Sequence, residues 1–377
     1  MWNYSGPDRL RAGGCRAGAA EGPIPAARPP ARRVRVPRPR RQSANNRIMK
    51  KIETIAYIGV DLGGTNLKTA LVSHSGKILE FRTAHVLVEQ GAESVSKKLL
   101  TQCRALVHSA SKLGLNVAAI GLGVAGKIDR STGSVIFSPN LPVLDGYPLG
   151  QELGRNLEIP VCMENDANVF GLGESWAGAA RGVRNWVGIT LGTGTGGCLF
   201  LNGKLWEGDG LGFSAEIGHM IVEPGGPVCP CGSKGCLEAF ASARALISGA
   251  KKAVCGQRLK EGPLHALDRE GKLSALTIYA CAKRGDPAAT ALFDKMGWAL
   301  GICLANIFSV LGIRLAVIGG GVSSAWDLFI SPLEKTLAQN SSMLDPGAAL
   351  ILRSRLGNDA ALIGAARLCR KCRQASP

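Results

Sequence analysis

The sequence predicts an α/β protein built from two similar halves. With 377 residues, 46% of them hydrophobic, and 50 glycines, the chain can bury a large core and is long enough for two domains. From Ile55 onward, short apolar strands and a helical pattern follow one another in the order β-β-β-α-β. Two glycine loops each lie between two strands, one in each half of the chain. We therefore expect mixed sheets that carry an antiparallel hairpin at one side.

The elements of the first half can be predicted in order. Strands are expected over residues 55–60, 67–72 and 77–82, because apolar runs there are separated by turn residues. An amphipathic helix over 91–115 follows, with its apolar side chains on one face, and then a strand over 117–124. Three strands before the first helix depart from a plain β-α-β repeat, which favours the mixed sheet.

The first glycine loop, between the first two strands, has the residue types of a phosphate site. Gly63 and Gly64 allow backbone N–H groups to approach phosphate oxygens, and Thr65 adds a hydroxyl donor. Lys68 can supply positive charge, and Asp61 at the strand end can hold magnesium through water. The alternative is a tight hairpin that needs glycine only for its backbone. The acidic, hydroxyl and basic side chains favour the phosphate site.

The second glycine loop spans residues 191–197, with Thr193, Gly194 and Thr195 at its centre, and follows a strand predicted over 186–190. It matches the dinucleotide pattern Gly-x-Gly-x-x-Gly, but that pattern should open a helix. Here a strand, an Asn-Gly turn and another strand follow, so we predict a second phosphate-binding hairpin. Two such hairpins, one in each half, indicate a nucleotide held in a cleft between them.

A third glycine signal follows a buried strand that begins at residue 315. Gly319, Gly320 and Gly321 could form a flat surface against an adenine or a ribose. The alternative is a tight turn from strand to helix.

A histidine and three cysteines have the composition of a structural zinc site: His219, Cys229, Cys231 and Cys236. One nitrogen and three thiolates match a closed tetrahedral site, although the Cys-x-Cys-x4-Cys spacing is not the commonest. Glu216 and Glu238 in the same stretch are not needed for a metal, and beside the histidine they suggest a site for a polyol. The alternative is ordinary buried cysteines in a loop rich in glycine and proline.

The segment Glu-Asn-Asp-Ala-Asn that starts at Glu164 lies between a strand predicted over 159–162 and a helix predicted over 167–176. Asp166 at this strand end is either the N-cap of the helix or the general base of an enzyme with its site in a cleft. Asn140, in the segment Ser-Pro-Asn-Leu, offers an exposed amide suited to a sugar hydroxyl.

Residues 1–48 differ in composition from the rest of the chain. They hold eleven arginines and seven of the nineteen prolines, and they account for about half of the net charge of +17. Such a segment cannot bury enough apolar surface to fold. A nucleic-acid-binding arm, a transit peptide and a leader are alternatives. We favour translation from Met49, directly before the first strand, which makes residues 1–50 a disordered tail or a mis-assigned start.

The remaining composition fits a cytoplasmic enzyme with neither a membrane nor a nucleic acid as partner. The twelve cysteines lie among apolar neighbours with no secretory signal before them, so we expect reduced thiols. The longest apolar stretch, 298–310, is too short for a membrane span and is expected to be a buried helix.

Six motifs occur in a fixed order along the chain: Asp61-Leu-Gly-Gly-Thr-Asn66, Ser138-Pro-Asn-Leu141, Glu164-Asn-Asp-Ala-Asn168, Gly192-Thr-Gly-Thr-Gly-Gly197, Glu216-Ile-Gly-His219 and Cys229-Pro-Cys-Gly-Ser-Lys-Gly-Cys236. In this combination the chain resembles the ROK family of repressors and sugar kinases, within the actin/hexokinase/Hsp70 ATPase superfamily. The resemblance covers residues 55–370.

The resemblance implies two ribonuclease-H-like domains of the actin-type ATPase around a central cleft, with a zinc-bound loop. Residues 51–167 and 358–377 would form a small N-terminal domain, and residues 168–357 a large domain that carries the zinc motif. The implied assembly is a homodimer or a homotetramer.

The resemblance also implies an ATP-dependent sugar kinase in which Asp166 takes the proton from the sugar hydroxyl. The sugar would be bound by Gly126, Asn140, Asn165, Glu216, His219 and Glu238. ATP and Mg²⁺ would be held by Asp61, Gly63, Gly64, Thr65, Lys68, Thr193, Gly194 and Thr195, with Gly319, Gly320 and Gly321 near the nucleoside. A structural Zn²⁺ would be held by His219, Cys229, Cys231 and Cys236, with the other ring nitrogen of the histidine on the sugar.

Glucose, phosphorylated at its 6-hydroxyl, is the expected sugar. Kinases of N-acetylmannosamine, N-acetylglucosamine, mannose and fructose share the framework, and contacts near Gly126, Lys127 and residues 143–147 could change the choice. The phosphate donor, ATP or polyphosphate, stays open.

The alternative of another class is a sugar-responsive repressor, which carries a winged helix-turn-helix before the first glycine hairpin. Residues 1–50 have no helical periodicity, so the kinase is favoured.

Overall fold

The computed structural model describes residues 54–86, 88–255, 261–345 and 347–375, without the side chains of residues 88 and 371–375. The predicted tail over residues 1–50 and the proposed start at Met49 therefore lie outside the described residues. The part of the chain that is described contains two five-stranded sheets and a separate two-stranded hairpin, all within one compact unit.

The first half of the chain forms the first sheet. Its elements are β1 (Ile55–Leu62), β2 (Asn66–Ser73), β3 (Ile78–His85), helix α1 (Gly91–Lys112), β4 (Asn116–Val124), β5 (Lys127–Asp129), β6 (Ser134–Phe137), helix α2 (Leu149–Leu157) and β7 (Val161–Asn165). The strand order is β3-β2-β1-β4-β7, while β5 and β6 form the separate hairpin. β1, β2 and β3 pair antiparallel through tight turns, whereas β1, β4 and β7 run parallel because helices connect them.

The second sheet repeats this arrangement. Its elements are helix α3 (Asp166–Ala177), β8 (Trp186–Leu191), β9 (Thr195–Leu201), β10 (Lys204–Leu205), the helices that follow, β11 (Leu315–Gly319) and β12 (Leu350–Arg353). The order β10-β9-β8-β11-β12 and the strand directions match those of the first sheet position by position. The prediction of a mixed α/β fold with an antiparallel hairpin at one side of the sheet is confirmed.

Between β10 and β12 the described segments contain five helices: α4 (Ala243–Cys255), α5 (Pro263–Arg269), α6 (Ala275–Lys283), α7 (Pro287–Leu311) and α8 (Trp326–Asn340). Among the described residues, α7 alone is long and apolar enough to cross a membrane, but 61% of its most apolar window is buried inside the protein. Phe293, Leu300 and Leu304 on α7 are fully buried in the core around the second sheet. The helix is a core helix, as expected, and its 25 residues extend beyond the predicted stretch.

The C-terminal helix α9 (Ala360–Ala375) returns to the first sheet. A Cβ atom on Gly59 would overlap the Leu362 carbonyl, and one on Gly121 would overlap the Ala365 carbonyl. Gly364 allows an equally close contact between α9 and α3. Because these backbones meet with no side chain between them, α9 fixes α3 against the first sheet.

The strand predicted to begin at residue 315 ends at Gly319, because Gly320, with a φ of 86°, turns the chain into the 3₁₀ turn Gly321–Ala325, which leads into α8. This is the tight turn from strand to helix predicted as the alternative at the triple glycine. Nine of the cysteines that the structure describes are free thiols, but Cys162 is disulfide-bonded, so the expectation of reduced thiols is wrong at that residue.

Gly121→Ala is expected to destabilise the protein. The added methyl group would overlap the Ala365 carbonyl, so β4 or α9 must shift, and overpacking of this kind costs about 1–3 kcal/mol. Urea unfolding should show a lower midpoint with an unchanged slope.

The matched control is Gly154→Ala in α2. The nearest atom to a Cβ there is the Ile159 carbonyl oxygen at 3.5 Å, an ordinary contact. Alanine favours the helix, so this variant should be neutral or more stable by up to about 1 kcal/mol. An unchanged midpoint for Gly121→Ala would contradict the close packing of α9.

Candidate functional site

The first glycine loop is the turn of the β1–β2 hairpin, and the Gly63 N–H closes it with a hydrogen bond of 3.0 Å. Asp61 pairs across the hairpin with Lys68, whose Nζ is 3.8 Å from the Asp61 carboxylate. Burial raises the pKa of Asp61, and Lys68 acts in the opposite direction. A Cβ on Gly64 would lie 2.7 Å from the Asn140 carbonyl oxygen. The first loop therefore touches the segment predicted to bind sugar.

The second glycine loop is the turn of the β8–β9 hairpin. The Gly192 N–H donates to the Gly194 carbonyl at 2.9 Å, and Thr193 is exposed at the tip. Thr195 is buried: its hydroxyl donates to a backbone carbonyl at 2.6 Å, and its N–H donates to the Glu238 carboxylate at 2.8 Å. Thr193 is thus available to a ligand, whereas the Thr195 side chain anchors the loop.

The first turn of α4 supports this second loop. The Ala243 N–H donates to the Gly192 carbonyl at 2.9 Å, and Arg244 Nε donates to the Thr193 carbonyl at 3.3 Å. A helix N-terminus and a guanidinium group therefore lie beside a loop predicted to hold phosphates. Arg244 carries no signal in the sequence, because its partner lies 51 residues earlier in the chain.

Strand β7 runs directly into helix α3, between Asn165 and Asp166. Asn165 is the N-cap: its Oδ1 accepts the N–H of Ala167 at 2.9 Å and that of Asn168 at 3.3 Å. The interpretation of Asp166 as the N-cap is therefore wrong. Asp166 is the first residue of the helix, and its carboxylate accepts the Ala167 N–H at 2.9 Å.

The environment of Asp166 raises the pKa of its carboxyl group to about 6. Burial is the main cause, since it disfavours the charged form, and the carboxylates of Asp61 and Glu216 add repulsion. These three carboxylates come from the first glycine loop, the start of α3 and the loop after β10, so Asp166 lies where the three segments meet. A carboxyl group with a pKa near neutrality can take a proton from a hydroxyl group.

Two of the predicted sugar-binding residues, Asn165 and Gly126, are in contact next to Asp166. Asn165 Nδ2 donates to the Gly126 carbonyl at 3.1 Å. Gly126 has a φ of 123°, and a Cβ there would lie 2.9 Å from the Cα of Ser138. Asn140, two residues further on, is exposed as predicted. Most of the hydrogen-bonding capacity of the Asn165 amide is used by the cap and by Gly126, which leaves one N–H for a ligand.

Glu216, His219 and Glu238 lie on the long loop between β10 and α4. Glu216 directly precedes the 3₁₀ turn Ile217–His219, His219 is the last residue of that turn, and Glu238 lies in the 3₁₀ turn Leu237–Ala239. Burial of the carboxyl group raises the pKa of Glu216, His219 lowers it and Glu238 raises it. The three side chains are therefore electrostatic neighbours, as a shared sugar site requires.

The predicted metal ligands also come together: the side chains of His219, Cys229, Cys231 and Cys236 have their ligand atoms within 4.8 Å of one another. Cys229 Sγ is 3.8 Å from His219 Nδ1, and Cys231 Sγ is 3.7 Å from Cys236 Sγ. In a tetrahedral zinc site with Zn–S bonds of about 2.3 Å, two sulfurs are about 3.8 Å apart. The four residues fit a zinc ion, with His219 Nδ1 as the ring nitrogen that lies close to Cys229.

The triple glycine serves packing at two of its three positions. A Cβ on Gly319 would meet the Phe170 ring, and one on Gly320 would lie 2.7 Å from the Leu191 nitrogen. Gly321 has open space around it. The contact with Leu191 brings this turn to the base of the second glycine loop.

The chain matches the model of the ROK family over residues 57–372. The curated glucokinase of Thermotoga maritima is 38% identical over 324 residues, which cover 84% of this chain and 98% of that protein. The xylose repressor of Caldicellulosiruptor bescii is 28% identical over 309 residues, or 82% of this chain and 76% of the repressor. A ROK family glucokinase from Streptomyces griseus, solved in complex with glucose and AMPPNP, has a TM-score of 0.71 at 34% identity, covering 84% of this chain and 99% of its own. This protein therefore belongs to the ROK family and has its mixed α/β, actin-like ATPase fold.

Proposed function

We propose that this protein is an ATP-dependent sugar kinase that phosphorylates glucose at the 6-hydroxyl. The observation that carries the proposal is the position of Asp166 between the two glycine hairpins. The negative charge of Asp61, in the first hairpin, raises the pKa of the Asp166 carboxyl group. The second hairpin packs on the start of α3, where a Cβ on Gly196 would lie 2.9 Å from that of Ala167. Similarity to glucokinases supports glucose as the substrate.

Asp166 would accept the proton of the sugar hydroxyl as that oxygen attacks the terminal phosphate of ATP. Phosphoryl transfer needs positioning and charge neutralisation more than covalent chemistry, and one carboxylate is enough to orient the attacking group. The raised pKa of Asp166 matches this proton transfer to near-neutral pH. Because Asn165 caps α3, the base is held by a helix and not by a loop.

The donor phosphates would lie between the two glycine hairpins. The residues proposed to hold them are Gly63, Gly64, Thr65, Lys68, Thr193 and Gly194. Asp61 would hold Mg²⁺, which neutralises phosphate charge when it is bound. Thr195 would support the loop from behind, and Gly321, the open member of the triple glycine, would lie nearest the nucleoside.

The residues proposed to bind the sugar are Gly126, Asn140, Asn165, Glu216, His219 and Glu238. Glu238 has one carboxylate oxygen on the Thr195 N–H, which leaves Oε1 for a sugar hydroxyl. A sugar bound there would be in contact with a residue that holds the second glycine loop. Occupation of the sugar site would therefore stabilise the loop that holds the donor phosphates.

A structural Zn²⁺ is proposed at His219, Cys229, Cys231 and Cys236. The bound ion would cross-link a loop that has little regular structure of its own and fix the histidine ring, with Nε2 directed towards the sugar. It would take no part in phosphoryl transfer. Its effect on the reaction would come through the positions of Glu216 and Glu238.

The domain division is proposed at residues 51–167 with 358–377 against 168–357. The packing of α9 on β1 and β4 supports placing the C-terminal segment with the first sheet. A homodimer or homotetramer and a cytoplasmic location are proposed with it.

Two alternatives are tested by one experiment. N-acetylmannosamine, N-acetylglucosamine or fructose could replace glucose, and the family also contains repressors. Asp166 with both glycine hairpins favours a kinase over a repressor. ADP release measured across a panel of hexoses and N-acetylhexosamines identifies the sugar, and a parallel assay with polyphosphate identifies the donor. No turnover with any sugar would exclude the kinase.

Asp166→Asn is expected to keep the fold and sugar binding but to lower kcat by several orders of magnitude, because the proton acceptor is lost. ADP release gives kcat, while a thermal unfolding curve and a glucose titration serve as controls. A variant that keeps more than about a tenth of the wild-type kcat would remove Asp166 from the role of base.

The pH profile of the wild-type enzyme gives an independent check on Asp166. Since protonated Asp166 cannot accept a proton, wild-type kcat/KM should fall about tenfold per unit below about pH 6.

Cys231→Ser is expected to lose zinc and to weaken sugar binding, while nucleotide binding at the glycine hairpins survives. Elemental analysis is paired with separate titrations of sugar and nucleotide. Cys255→Ser, at an exposed cysteine outside the cluster, is the control and should keep its zinc. Stoichiometric zinc in Cys231→Ser would exclude this ligand, and zinc loss with unchanged sugar affinity would show that the ion does not support the sugar site.

A further inference from the structure

Arg130 has no part in the chemistry proposed above, yet it makes a bidentate contact beside the base. Its Nε donates to Glu164 Oε2 at 2.7 Å, and its Nη2 donates to Oε1 at 2.9 Å. Glu164 is 1% exposed, so its carboxylate is buried, while the Arg130 side chain reaches it from a position that is 26% exposed. A guanidinium group that engages both oxygens fixes the plane and the direction of a carboxylate, which a single contact cannot do.

Because its carboxylate is fixed, Glu164 also fixes residues on both sides of Asp166 through hydrogen bonds. Its Oε1 also accepts the Asn165 N–H at 2.8 Å and the Asn168 side-chain amide at 3.0 Å. Asn165 is the last residue of β7, and Asn168 lies in the first turn of α3. One buried carboxylate therefore holds the end of the strand and the start of the helix in a single network.

Arg130 itself belongs to a different segment, the turn between β5 and β6. This hairpin starts directly after Gly126 and ends at Phe137, shortly before Asn140. Asp129 accepts two backbone N–H groups of the same turn, at 2.9 and 3.2 Å, which makes the turn rigid. The arginine thus joins the segment proposed to bind sugar to the segment that carries the base.

We propose that Arg130 is a positioning residue for phosphoryl transfer, which acts through Glu164 to hold the Asp166 carboxylate in register with the sugar hydroxyl. This inference rests on the proposed kinase function. The guanidinium group sets the Glu164 carboxylate, which sets the backbone of Asn165 and the first turn of α3. Because the same arginine lies in the hairpin between Gly126 and Asn140, both proposed to bind the sugar, one contact links the position of the base to that of the sugar.

Arg130→Lys separates this role from simple stabilisation. Lysine keeps the charge beside Glu164 but cannot engage both carboxylate oxygens in the plane of a guanidinium group. The variant should unfold at a temperature close to that of the wild type and keep its KM for ATP. Its kcat should fall about tenfold or more, because a small misplacement of a reacting group has a large effect on rate. Arg130→Ala should lose more of kcat.

Arg82→Lys is the matched control. Arg82 Nε also donates to a glutamate, Glu80, at 2.7 Å, but on β3 at the edge of the first sheet. This variant should keep the wild-type kcat. If Arg130→Ala does not fold, Arg130→Lys decides alone: a folded protein with wild-type kcat overturns the proposal.

A second measurement is independent of the kinase assay. Hydrogen exchange at the N–H groups of Asn165, Ala167 and Asn168 in the unliganded protein should be faster in Arg130→Lys than in the wild type. If Arg130→Lys exchanges faster but keeps the wild-type kcat, the contact of Arg130 with Glu164 is structural only. If exchange is unchanged, Arg130 does not act on these N–H groups through Glu164. Either result overturns the proposal. If the wild type shows no phosphoryl transfer, the proposed function fails, while the exchange experiment still reports on the network.

Discussion

The direct passage from β7 into α3 is the constraint on which the site depends. The chain changes from extended to helical between Asn165 and Asp166, with no loop in which to satisfy the first free N–H groups of the helix. The Asn165 side chain accepts two of these groups, and Glu164 accepts the N–H of Asn165 itself. Asp166 therefore starts the helix with a fixed direction. The N–H of Ala167 stabilises its anionic form, but burial and the neighbouring carboxylates outweigh this effect and keep its pKa near neutrality.

The two sheets use the same hairpin for different tasks. In each sheet the central antiparallel pair, β1–β2 or β8–β9, ends in a glycine loop. The first loop has the charged pair Asp61 and Lys68 at its base. The second has neutral residues at its tip and depends on its surroundings, with Glu238 beneath Thr195 and the start of α4 against Gly192. The two sheets thus share a topology, but the charges at the first glycine loop belong to its own hairpin, whereas those at the second loop come from other segments.

The sequence predicted what local patterns determine. The strands, the glycine hairpins and the metal cluster follow from alternation, turn residues and short spacings, and the structure has all of them among its described residues. The sequence offered the N-cap as one of two interpretations of Asp166, although aspartate and asparagine are equally good caps. The pairing of Asn165 with Val124 in the neighbouring strand decides where β7 ends, and that partner is remote in the sequence. The contacts of Arg130 with Glu164 and of Arg244 with Thr193 join residues 34 and 51 positions apart, and no periodicity connects them.

The close packing of α9 against glycines of the first sheet also sets an order of events during synthesis. β1 and β4 are among the first elements to leave the ribosome, but the apolar cluster on one face of their sheet is completed by residues of α9. Until α9 is made, Tyr57, Val72 and Ala119 lack their contacts with Leu362, Ala366 and Cys369. N-terminal parts of a chain generally fold first during translation. Here the first sheet to be made is the last to be closed, so a chain that stops before α9 presents an open apolar face to chaperones and proteases.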